Sequence, residues 1–498
     1  MTDSQMNVAQ FLLAGKDPER AALLFIHDQY SYGDLQRRVE QVGRAILALG
    51  GRKGDRIVLL GENSFFWVSA YLGVLRAGLV CVPLSDAITS NDMAFVLRNT
   101  EARAIFIEKN IAARRLPGRT EVRVVTDSQI DALAADQPSA SPFPDVGADD
   151  LAALMFTSGS TGQPRGVMVS HGNIIANTES IIEYLRLRED DRILTVLPFH
   201  YCFGTSLLHT HLRVGGSLVV EPRFIYTETV LQRMIDTACT GFAGVPSHFQ
   251  ILLRNSTLRQ KSFPHLRYVQ QAGGHLPPPV IHELCAALPT TQVFIMYGQT
   301  EATARLSYLP PECLPARIGS IGRGIPGVVL RVLNDAGEDV RPGEVGEIVA
   351  RGANVARGYW RAPQETAASF GNGELRTGDL AMVDSDGFIY VVDRAKDFLK
   401  CGGERVSCRR IEEELLAFDE LLEAAVVPVP DQILGEAAKA FIVPRFKEHS
   451  GLEERLTAFL KARSPAQLVP KQFVVLPTLP KNSSGKVLKA KLRAPETS

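Results

Sequence analysis

A run of small hydroxyl and glycine residues interrupts an apolar part of the chain. It lies within LMFTSGSTGQPRGVMVSHGNI, residues 154–174. Glycines there permit positive φ and close approach of the backbone, and hydroxyl side chains add donors beside successive backbone N–H groups. The residues concerned are Thr157, Ser158, Gly159, Ser160, Thr161, Gly162 and Gly166. We therefore predict a phosphate-binding loop between two strands.

This loop is not a Walker A loop, because no suitably spaced glycine pair is followed by Lys-Ser or Lys-Thr. A flexible Gly/Ser surface turn is the alternative interpretation, and the apolar segments on both sides disfavour it. A second group of candidates is YGQTE, residues 297–301. Tyr297 offers a flat face for a base, Thr300 a hydroxyl for a phosphate, and Glu301 the hard oxygen that Mg²⁺ prefers. Taken alone, such residues are more often core and solvated surface.

The elements that must position these residues follow a pattern typical of α/β proteins. Short β-rich runs alternate with helical patterns from about residue 20 to 135 and again after 190, which predicts two layered regions with parallel sheets. Beyond 320, alternating apolar residues flank the turns D-A-G and R-P-G and predict a smaller antiparallel sheet. A last segment has its own helix and strands. We predict an α/β protein with two α/β subdomains, a small β-rich subdomain and a small, mobile α+β C-terminal domain.

Composition excludes several classes of protein. The 498 residues include 54 basic and 55 acidic side chains, so no global field favours nucleic acid or anionic lipid. Apolar stretches are too short to span a membrane, and the N-terminus lacks the features of a signal peptide. The seven cysteines are scattered without a CxxC pair, which favours reduced thiols. We expect a cytoplasmic protein with no membrane span and no nucleic-acid partner.

The segment TSGSTGQPRG resembles the phosphate loop of the adenylate-forming superfamily, which comprises acyl- and aryl-CoA synthetases, luciferases and peptide-synthetase adenylation domains. Arg165 stands where this family usually has Lys. Further motifs resemble the family in its order, and the pattern is most similar to a stand-alone acyl-CoA synthetase. These motifs are LPFHYCFG (197–204), YGQTE (297–301), TGD (377–379), YVVDRAKDFLKCGGER (390–405) and PKNSSGKV (480–487).

The resemblance implies a function in two steps. A carboxylic acid reacts with ATP to give an acyl-adenylate and pyrophosphate, with Mg²⁺ as cofactor, and the acyl group then passes to a thiol. It assigns Tyr297 to the base, Glu301 to the metal, and Asp379, with Arg394, to the ribose. The implied nucleotide-binding residues are Thr157, Ser158, Gly159, Ser160, Thr161, Gly162, Gly273, Gly274, Tyr297, Gly298, Thr300, Asp379, Arg394 and Lys486.

The implied catalytic residues are Lys486, Thr161, Glu301 and Lys400. By composition alone, Lys486 would be a mobile surface charge. The family's C-terminal lysine bridges the carboxylate and the α-phosphate, and a cation between two anions lowers the barrier to their reaction. Lys396 matches the family's hinge, which divides the chain into domains 1–395 and 396–498. Gly402 and Gly403 match the face that meets the thiol after the small domain turns, and Lys400 resembles a residue of that second arrangement.

The acid is expected to be a fatty or aryl acid. Amino-acid-activating members carry an Asp in the segment equivalent to LPFHYCFG, and this chain has no carboxylate at 199–202 to pair a buried ammonium. The pocket candidates are His200, Phe203, Gly204, Val245, Gln271 and Ala272. A core histidine is the alternative for His200.

The acceptor is expected to be coenzyme A, with an acyl carrier protein and its phosphopantetheine thiol as the alternative. Arg405, Arg409 and Arg410 would attract either one. A non-catalytic protein that binds a nucleotide or acyl-adenylate is disfavoured by the complete set of motifs. A phosphotransferase is disfavoured by the missing Walker A lysine.

Overall fold

The structure is a computed structural model, and it describes most of the chain. The described residues are 7–115, 122–135, 142–158, 164–394, 398–401, 404–431, 434–446, 448–463, 469–481 and 487–493. Of the helices within these ranges, none combines the length and the apolar character needed to cross a bilayer.

The first part of the chain alternates helices and strands. Its elements are α1 (Val8–Leu13), β1 (Ala21–Leu24), β2 (Gln29–Ser31), α2 (Tyr32–Ala48), β3 (Arg56–Leu60), α3 (Phe65–Arg76), β4 (Val80–Leu84), α4 (Ser90–Thr100), β5 (Ala104–Ile107), α5 (Lys109–Arg115), β6 (Arg123–Thr126), α6 (Asp127–Ala135), β7 (Leu151–Ser158) and β8 (Pro164–Ser170). Strands β3 to β8 form a six-stranded sheet in the order β6-β5-β3-β4-β7-β8. Its pairs are parallel except β7 with β8.

The second α/β region continues with α7 (His171–Leu185), β9 (Arg192–Thr195), α8 (Cys202–Val214), β10 (Ser217–Val220), α9 (Thr227–Asp236), β11 (Gly241–Gly244), α10 (Pro246–Asn255), β12 (Tyr268–Gln271), α11 (Pro278–Ala287), β13 (Gln292–Tyr297), β14 (Ser307–Leu309) and β15 (Arg323–Gly324). A nine-stranded sheet has the order β15-β14-β13-β12-β11-β9-β10-β1-β2. Its inner pairs are parallel, and β2, β14 and β15 are antiparallel additions at the ends.

Helix α8 is central to the packing. Its residues from Cys202 to Leu212 are all buried, as expected for a helix with apolar or internally bonded side chains on every face. The largest buried cluster combines α3, α7 and α8 with side chains of both sheets. The two α/β regions therefore share one core, and α7 and α8 cover one face of the nine-stranded sheet.

Two smaller sheets follow. The elements β16 (Val328–Leu333), β17 (Gly346–Gly352), α12 (Pro363–Ser369), β18 (Leu375–Val383) and β19 (Ile389–Arg394) contain an antiparallel four-stranded sheet. The last part contains β20 (Phe398–Cys401), β21 (Glu404–Ser407), α13 (Cys408–Leu416), β22 (Leu421–Asp431), β23 (Gly435–Pro444), α14 (Leu452–Arg463), β24 (Gln472–Val475) and α15 (Lys489–Arg493). Its five strands form a separate sheet. The predicted fold class is confirmed.

Candidate active site

Most of the candidate residues follow strands of the nine-stranded sheet at the same edge. The segment LPFHYCFG follows β9, Val245 follows β11, the Gly273–Gly274 turn follows β12, and YGQTE begins at the last residue of β13. Parallel strands end at one edge of a sheet, and α/β proteins bind ligands in the crevice outside these carboxyl ends. The topology thus brings motifs that are far apart in the sequence to one place.

The phosphate-loop candidates are flanked by an antiparallel pair. Thr157 at the end of β7 pairs with Arg165 at the start of β8. Gly159, Ser160, Thr161 and Gly162 lie outside the described residues, as does the side chain of Ser158.

One expectation for this loop was wrong. Gly166 does not adopt positive φ, because it is an extended residue within β8. A Cβ atom at Gly166 would lie 3.1 Å from the Phe156 ring. Its glycine character therefore suits close packing against an aromatic ring.

Arg165, Tyr359 and Glu301 form a chain of contacts from β8 to YGQTE. The guanidinium of Arg165 lies 5.7 Å from the centroid of the Tyr359 ring, and the Tyr359 hydroxyl donates a 2.9 Å hydrogen bond to Glu301 Oε1. Burial and the neighbouring Glu301 carboxylate raise the pKa of Tyr359 well above its usual value. Tyr359 therefore remains a protonated donor at neutral pH, and it orients the carboxylate that is the metal candidate.

The contact of Tyr359 with Glu301 is not predictable from the sequence. Tyr359 lies in a segment that pairs with the edge of β8, through bonds from Met168 N to Gly358 O and from Trp360 N to Gly166 O and a bridge between Val167 and Tyr359. A tyrosine in the segment RGYW has no local feature that indicates a catalytic role. The contact depends on a long-range strand pairing that the local pattern does not encode.

Tyr297 and Asp379, the candidates for the base and the ribose, are in contact. The Tyr297 hydroxyl donates a 2.6 Å hydrogen bond to Asp379 Oδ2. Asp379 on β18 is paired with Arg394 on β19, so the backbone register brings together the two residues expected at the ribose. The side chain of Arg394 lies outside what the structure describes.

Residues Thr300 and Gly298 connect YGQTE to its surroundings. The Thr300 hydroxyl lies 3.4 Å from Cys202 Sγ at the start of α8, so this threonine joins the two motifs. A Cβ atom at Gly298 would lie 2.1 Å from the carbonyl oxygen of Ala304. Only glycine allows the chain to fold back this closely after YGQTE.

The turn after β12 is held by its own neighbours. Gly273 has φ +84°, and a Cβ atom there would lie 3.0 Å from Val245 Cγ1. The Gln271 side chain donates a 2.8 Å hydrogen bond to Gly274 O. Gln271, a pocket candidate, therefore stabilises the turn that the resemblance assigns to adenine.

The remaining pocket candidates lie around the start of α8. Phe203 and Ala272 are each 2% exposed, and a Cβ atom at Gly204 would lie 2.2 Å from Pro198 O. Burial lowers the pKa of His200 to about 4, against a small opposing effect of Asp86. The imidazole is therefore uncharged at neutral pH.

The C-terminal part docks beside this edge. Asp393 Oδ2 accepts hydrogen bonds from Ser407 Oγ at 2.8 Å and from Arg409 N at 3.2 Å. The Arg409 side chain bonds His275 and, at 2.7 Å, the carbonyl of Val391. His275, next to the Gly273–Gly274 turn, also contacts Glu413 at 2.6 Å. In this arrangement Arg409 is an interface residue whose side chain contacts His275, Val391 and Glu413, and its role toward the acceptor stays a prediction.

Several predicted residues of this part lie outside the described residues. They are Lys396, Gly402, Gly403, Lys486 and the side chains of Lys400 and Arg405. Residues 482–486 lie outside the described residues, and Lys481 pairs with Val487 on either side of them. Burial and the positive charge of Lys481 lower the pKa of His248 on α10 to about 3, so Lys481 lies close to the helix that follows the pocket candidate Val245.

Fold and site together define an adenylate-forming enzyme. The chain belongs to the AMP-binding enzyme family, whose model matches residues 13–360, and the model of the AMP-binding enzyme C-terminal domain matches residues 410–486. It is an enzyme of the AMP-forming acid–thiol ligase class.

Similar proteins cover the whole length of the chain. It is 34% identical over 474 residues to a feruloyl-CoA synthase of Amycolatopsis sp., with 93% of each chain covered. The structure resembles an anthranilate CoA ligase in complex with anthranoyl-AMP, with a TM-score of 0.91, 25% identity and coverage of 99% and 97%. It also resembles o-succinylbenzoate coenzyme A synthetase of Bacillus subtilis in complex with ATP and magnesium ion, with a TM-score of 0.86, 28% identity and coverage of 98% and 99%.

Proposed function

We propose that this enzyme activates a carboxylic acid without an α-amino group to its acyl-adenylate and transfers the acyl group to coenzyme A. The observation that carries the proposal is the pair of contacts at the sheet edge, Tyr359 with Glu301 and Tyr297 with Asp379. These contacts fix two carboxylates in different roles. Glu301 faces the phosphate-loop strands, and Asp379 lies beside an aromatic ring that suits a nucleotide base.

The residues present fit a magnesium ion at Glu301. One oxygen of this carboxylate is held by the Tyr359 hydroxyl, and Glu301 forms no ion pair within the described part of the chain. Mg²⁺ is commonly bound by one or two carboxylates together with substrate phosphates. When bound, the ion would neutralise charge on the phosphates. A relative of this fold is described in complex with ATP and magnesium ion, which supports the same cofactor here.

Adenylation requires that the acid's carboxylate approach the α-phosphorus despite the repulsion between two anions. We assign Lys486 to this step, as the cation between them. Two observations support the assignment. Lys481 and Val487, which flank the segment, pair with each other, and Lys481 lies near α10 at the sheet edge. Similarity over 99% of the chain to an adenylate complex favours an arrangement of the domains suited to this first step.

The acid is proposed to lack an α-amino group because Phe199, His200, Tyr201 and Cys202 offer no carboxylate for an ammonium. An unpaired buried ammonium would be strongly disfavoured. Ferulate, anthranilate and succinylbenzoate, the acids of the similar proteins, differ in size and polarity. They support the class of acid and leave its identity to experiment. Coenzyme A is the proposed acceptor because these similar proteins are CoA ligases.

The test is pyrophosphate release with a panel of fatty, aryl and amino acids, each with and without coenzyme A. We expect release that requires ATP and Mg²⁺, turnover that increases with coenzyme A, and a thioester product. If proteinogenic amino acids are the best substrates, the proposed acid class is wrong. If pyrophosphate is released and no coenzyme A thioester forms, but a phosphopantetheine carrier protein is acylated, then the carrier protein is the acceptor and coenzyme A is not. Lys486→Ala is the control that should lower release by about a hundredfold or more with every acid.

A further inference from the structure

Arg305 is a buried arginine whose charge has no anionic partner among the described residues. It lies eight residues after Tyr297, where the chain folds back against Gly298, and it is only 1% exposed. Its Nε and Nη2 atoms have no hydrogen-bond partner in the part of the chain that the structure describes. Burial lowers the pKa of Arg305, but a guanidinium stays protonated at neutral pH. A buried charge is normally paired, because an unpaired one is strongly destabilising.

The surroundings of Arg305 are aromatic. Its guanidinium lies 4.0 Å from the centroid of the Phe203 ring on α8, and it is close to Tyr184 on α7. A cation–π contact stabilises a buried guanidinium, but it does not replace an anionic partner. Tyr184 also has a hydrogen-bonding interaction with this side chain. The Nε and Nη2 donors remain without a partner among the described residues.

The backbone of Arg305 is held firmly. Its carbonyl oxygen accepts hydrogen bonds from Asn354 Nδ2 at 2.8 Å and from Asn177 Nδ2 at 3.1 Å. Both asparagines are buried. These hydrogen bonds restrain the backbone from which the Arg305 side chain extends. Little conformational entropy is therefore lost when this side chain binds a ligand.

Gln270 on β12 is a second buried polar side chain in this part of the molecule. Gln270 is fully buried, and neither its amide nitrogen nor its amide oxygen has a partner in the described structure. Side chains alternate along β12, so Gln270 shares a face with Tyr268, whose hydroxyl contacts His211 of α8. Gln270 pairs across the sheet with Ala243 and Phe294. It therefore faces α8, the helix whose Phe203 ring contacts the Arg305 guanidinium.

Arg305 and Glu301 have different side-chain contacts. Glu301 is bonded to Tyr359 beside the phosphate-loop strands, whereas the Arg305 guanidinium lies against the Phe203 ring on α8. The Thr300–Cys202 contact joins YGQTE to the start of α8. Under the proposed function the reacting carboxylate meets the α-phosphate near Glu301, and we assign a group that reaches Arg305 to the other end of the acid.

We infer that the acid substrate is a dicarboxylic acid whose distal carboxylate binds the guanidinium of Arg305, with an additional hydrogen bond from the amide of Gln270. A guanidinium can bind a carboxylate through two parallel N–H donors. This inference rests on the proposed function, since it specifies the acid that the same site activates. It also explains why a cation stands in a pocket that would otherwise suit a neutral acyl chain.

The experiment compares dicarboxylic acids with monocarboxylic acids of matched length, in straight-chain and aryl series, by kcat/KM for pyrophosphate release. Wild type should prefer the dicarboxylic member of the best pair. Arg305→Met should lower kcat/KM for that acid by about a hundredfold, because a buried charge pair loses one partner, and should leave the matched monocarboxylic acid unchanged or improved. Arg305→Lys should retain part of the preference, since it keeps the charge without the planar fork. Gln270→Leu should cause a smaller loss, about tenfold, confined to the dicarboxylic acid.

Arg192→Met is the matched control. Arg192 lies on the same sheet at the start of β9, and its guanidinium donates to Thr237 O at 2.7 Å, so this change should not alter the ratio between the two acids. Equal losses for both acids in Arg305→Met would overturn the inference, because the arginine would then act on the fold or on the reacting carboxylate. A wild-type preference for monocarboxylic acids, or for acids with a neutral polar end, would also overturn it.

A binding measurement separates this inference from the proposed function. The best dicarboxylic acid should raise the melting temperature of wild type and not that of Arg305→Met. If no acid supports pyrophosphate release, the proposed function fails, and the melting shift still decides whether Arg305 binds a carboxylate. If monocarboxylic acids are activated and the melting shift is absent, the proposed function stands and the inference about Arg305 fails.

Discussion

The two sides of the site differ in how their polar side chains are partnered. The side proposed to bind the nucleotide has two sets of bonded polar groups, Arg165 with Tyr359 and Glu301, and Tyr297 with Asp379. On the acyl side, formed by Phe203, Gln270 and Arg305, two fully buried polar side chains have atoms without partners among the described residues. Side chains that act in the same way on every substrate can form hydrogen bonds within the protein before any substrate binds. Side chains that select one substrate need hydrogen-bond donors that only this substrate satisfies.

This comparison predicts that changes on the nucleotide side affect all acids equally. The largest effect should come from Lys486→Ala. Loss of one well-placed charged contact to a transition state reduces the rate by about a hundredfold or more. Adenylate formation should fall by this factor for every acid, while transfer from a supplied acyl-adenylate to coenzyme A stays nearly intact. Pre-steady-state product formation measures each step separately, and equal losses in both steps would contradict the two-step assignment of this lysine.

Lys396→Pro should have the opposite effect. Proline fixes φ at this position, which should hinder rotation of the small domain between the two steps. Thioester formation from a supplied adenylate should fall by about tenfold or more while adenylate formation is largely retained. Synthetic adenylate with coenzyme A, and ATP with acid, provide the two measurements. If the transfer step is unchanged, this residue is not the pivot.

Glu301→Gln should weaken the binding of Mg²⁺, since an amide oxygen is a poorer ligand for a hard cation than a carboxylate. At limiting Mg²⁺ we expect about a tenfold loss of adenylation, partly recovered at high Mg²⁺. The loss should be the same for dicarboxylic and monocarboxylic acids, in contrast to Arg305→Met. Titration of activity against Mg²⁺ is the measurement. Wild-type activity at limiting Mg²⁺ would remove Glu301 from the metal site.

Tyr359→Phe should give the smallest effect. It removes one hydrogen bond to Glu301 and keeps the ring that Arg165 contacts. Such a bond contributes about 1 kcal/mol, so adenylation should fall about fivefold, with a modest increase in the Mg²⁺ requirement. A variant whose loss depends on which acid is supplied would show that the two sides of the site are not independent.

The sequence predicted much of the nucleotide side because its residues occur in compact motifs. YGQTE places a hydroxyl and a carboxylate within a few residues of a strand end, and the alternation of strands and helices predicts that such ends share an edge. The mistaken expectation for Gly166 arose because a glycine in a strand and a glycine in a loop look alike in sequence. Strand pairing decides between them, and here it places Gly166 against Phe156.

Tyr359 and Arg305 could not be found in the same way. Tyr359 reaches Glu301 only through the pairing of its segment with β8. A lone arginine after YGQTE is most simply interpreted as a surface charge, and only the packing of α7 and α8 over it reveals that it is buried. In both cases the decisive contacts join distant parts of the chain. The local sequence pattern does not predict these contacts.

The pairing of Asp379 with Arg394 has a mechanical consequence. Arg394 is the last residue of β19, and the segment that contains Lys396 follows directly. Any rotation of the small domain about that segment therefore begins beside the residue expected to hold the ribose. If Lys396 is the hinge, the rotation axis would pass next to the proposed ribose-binding residues. Binding of a nucleotide would then be coupled directly to the orientation of the small domain. No conformational change elsewhere in the protein would be needed for this coupling.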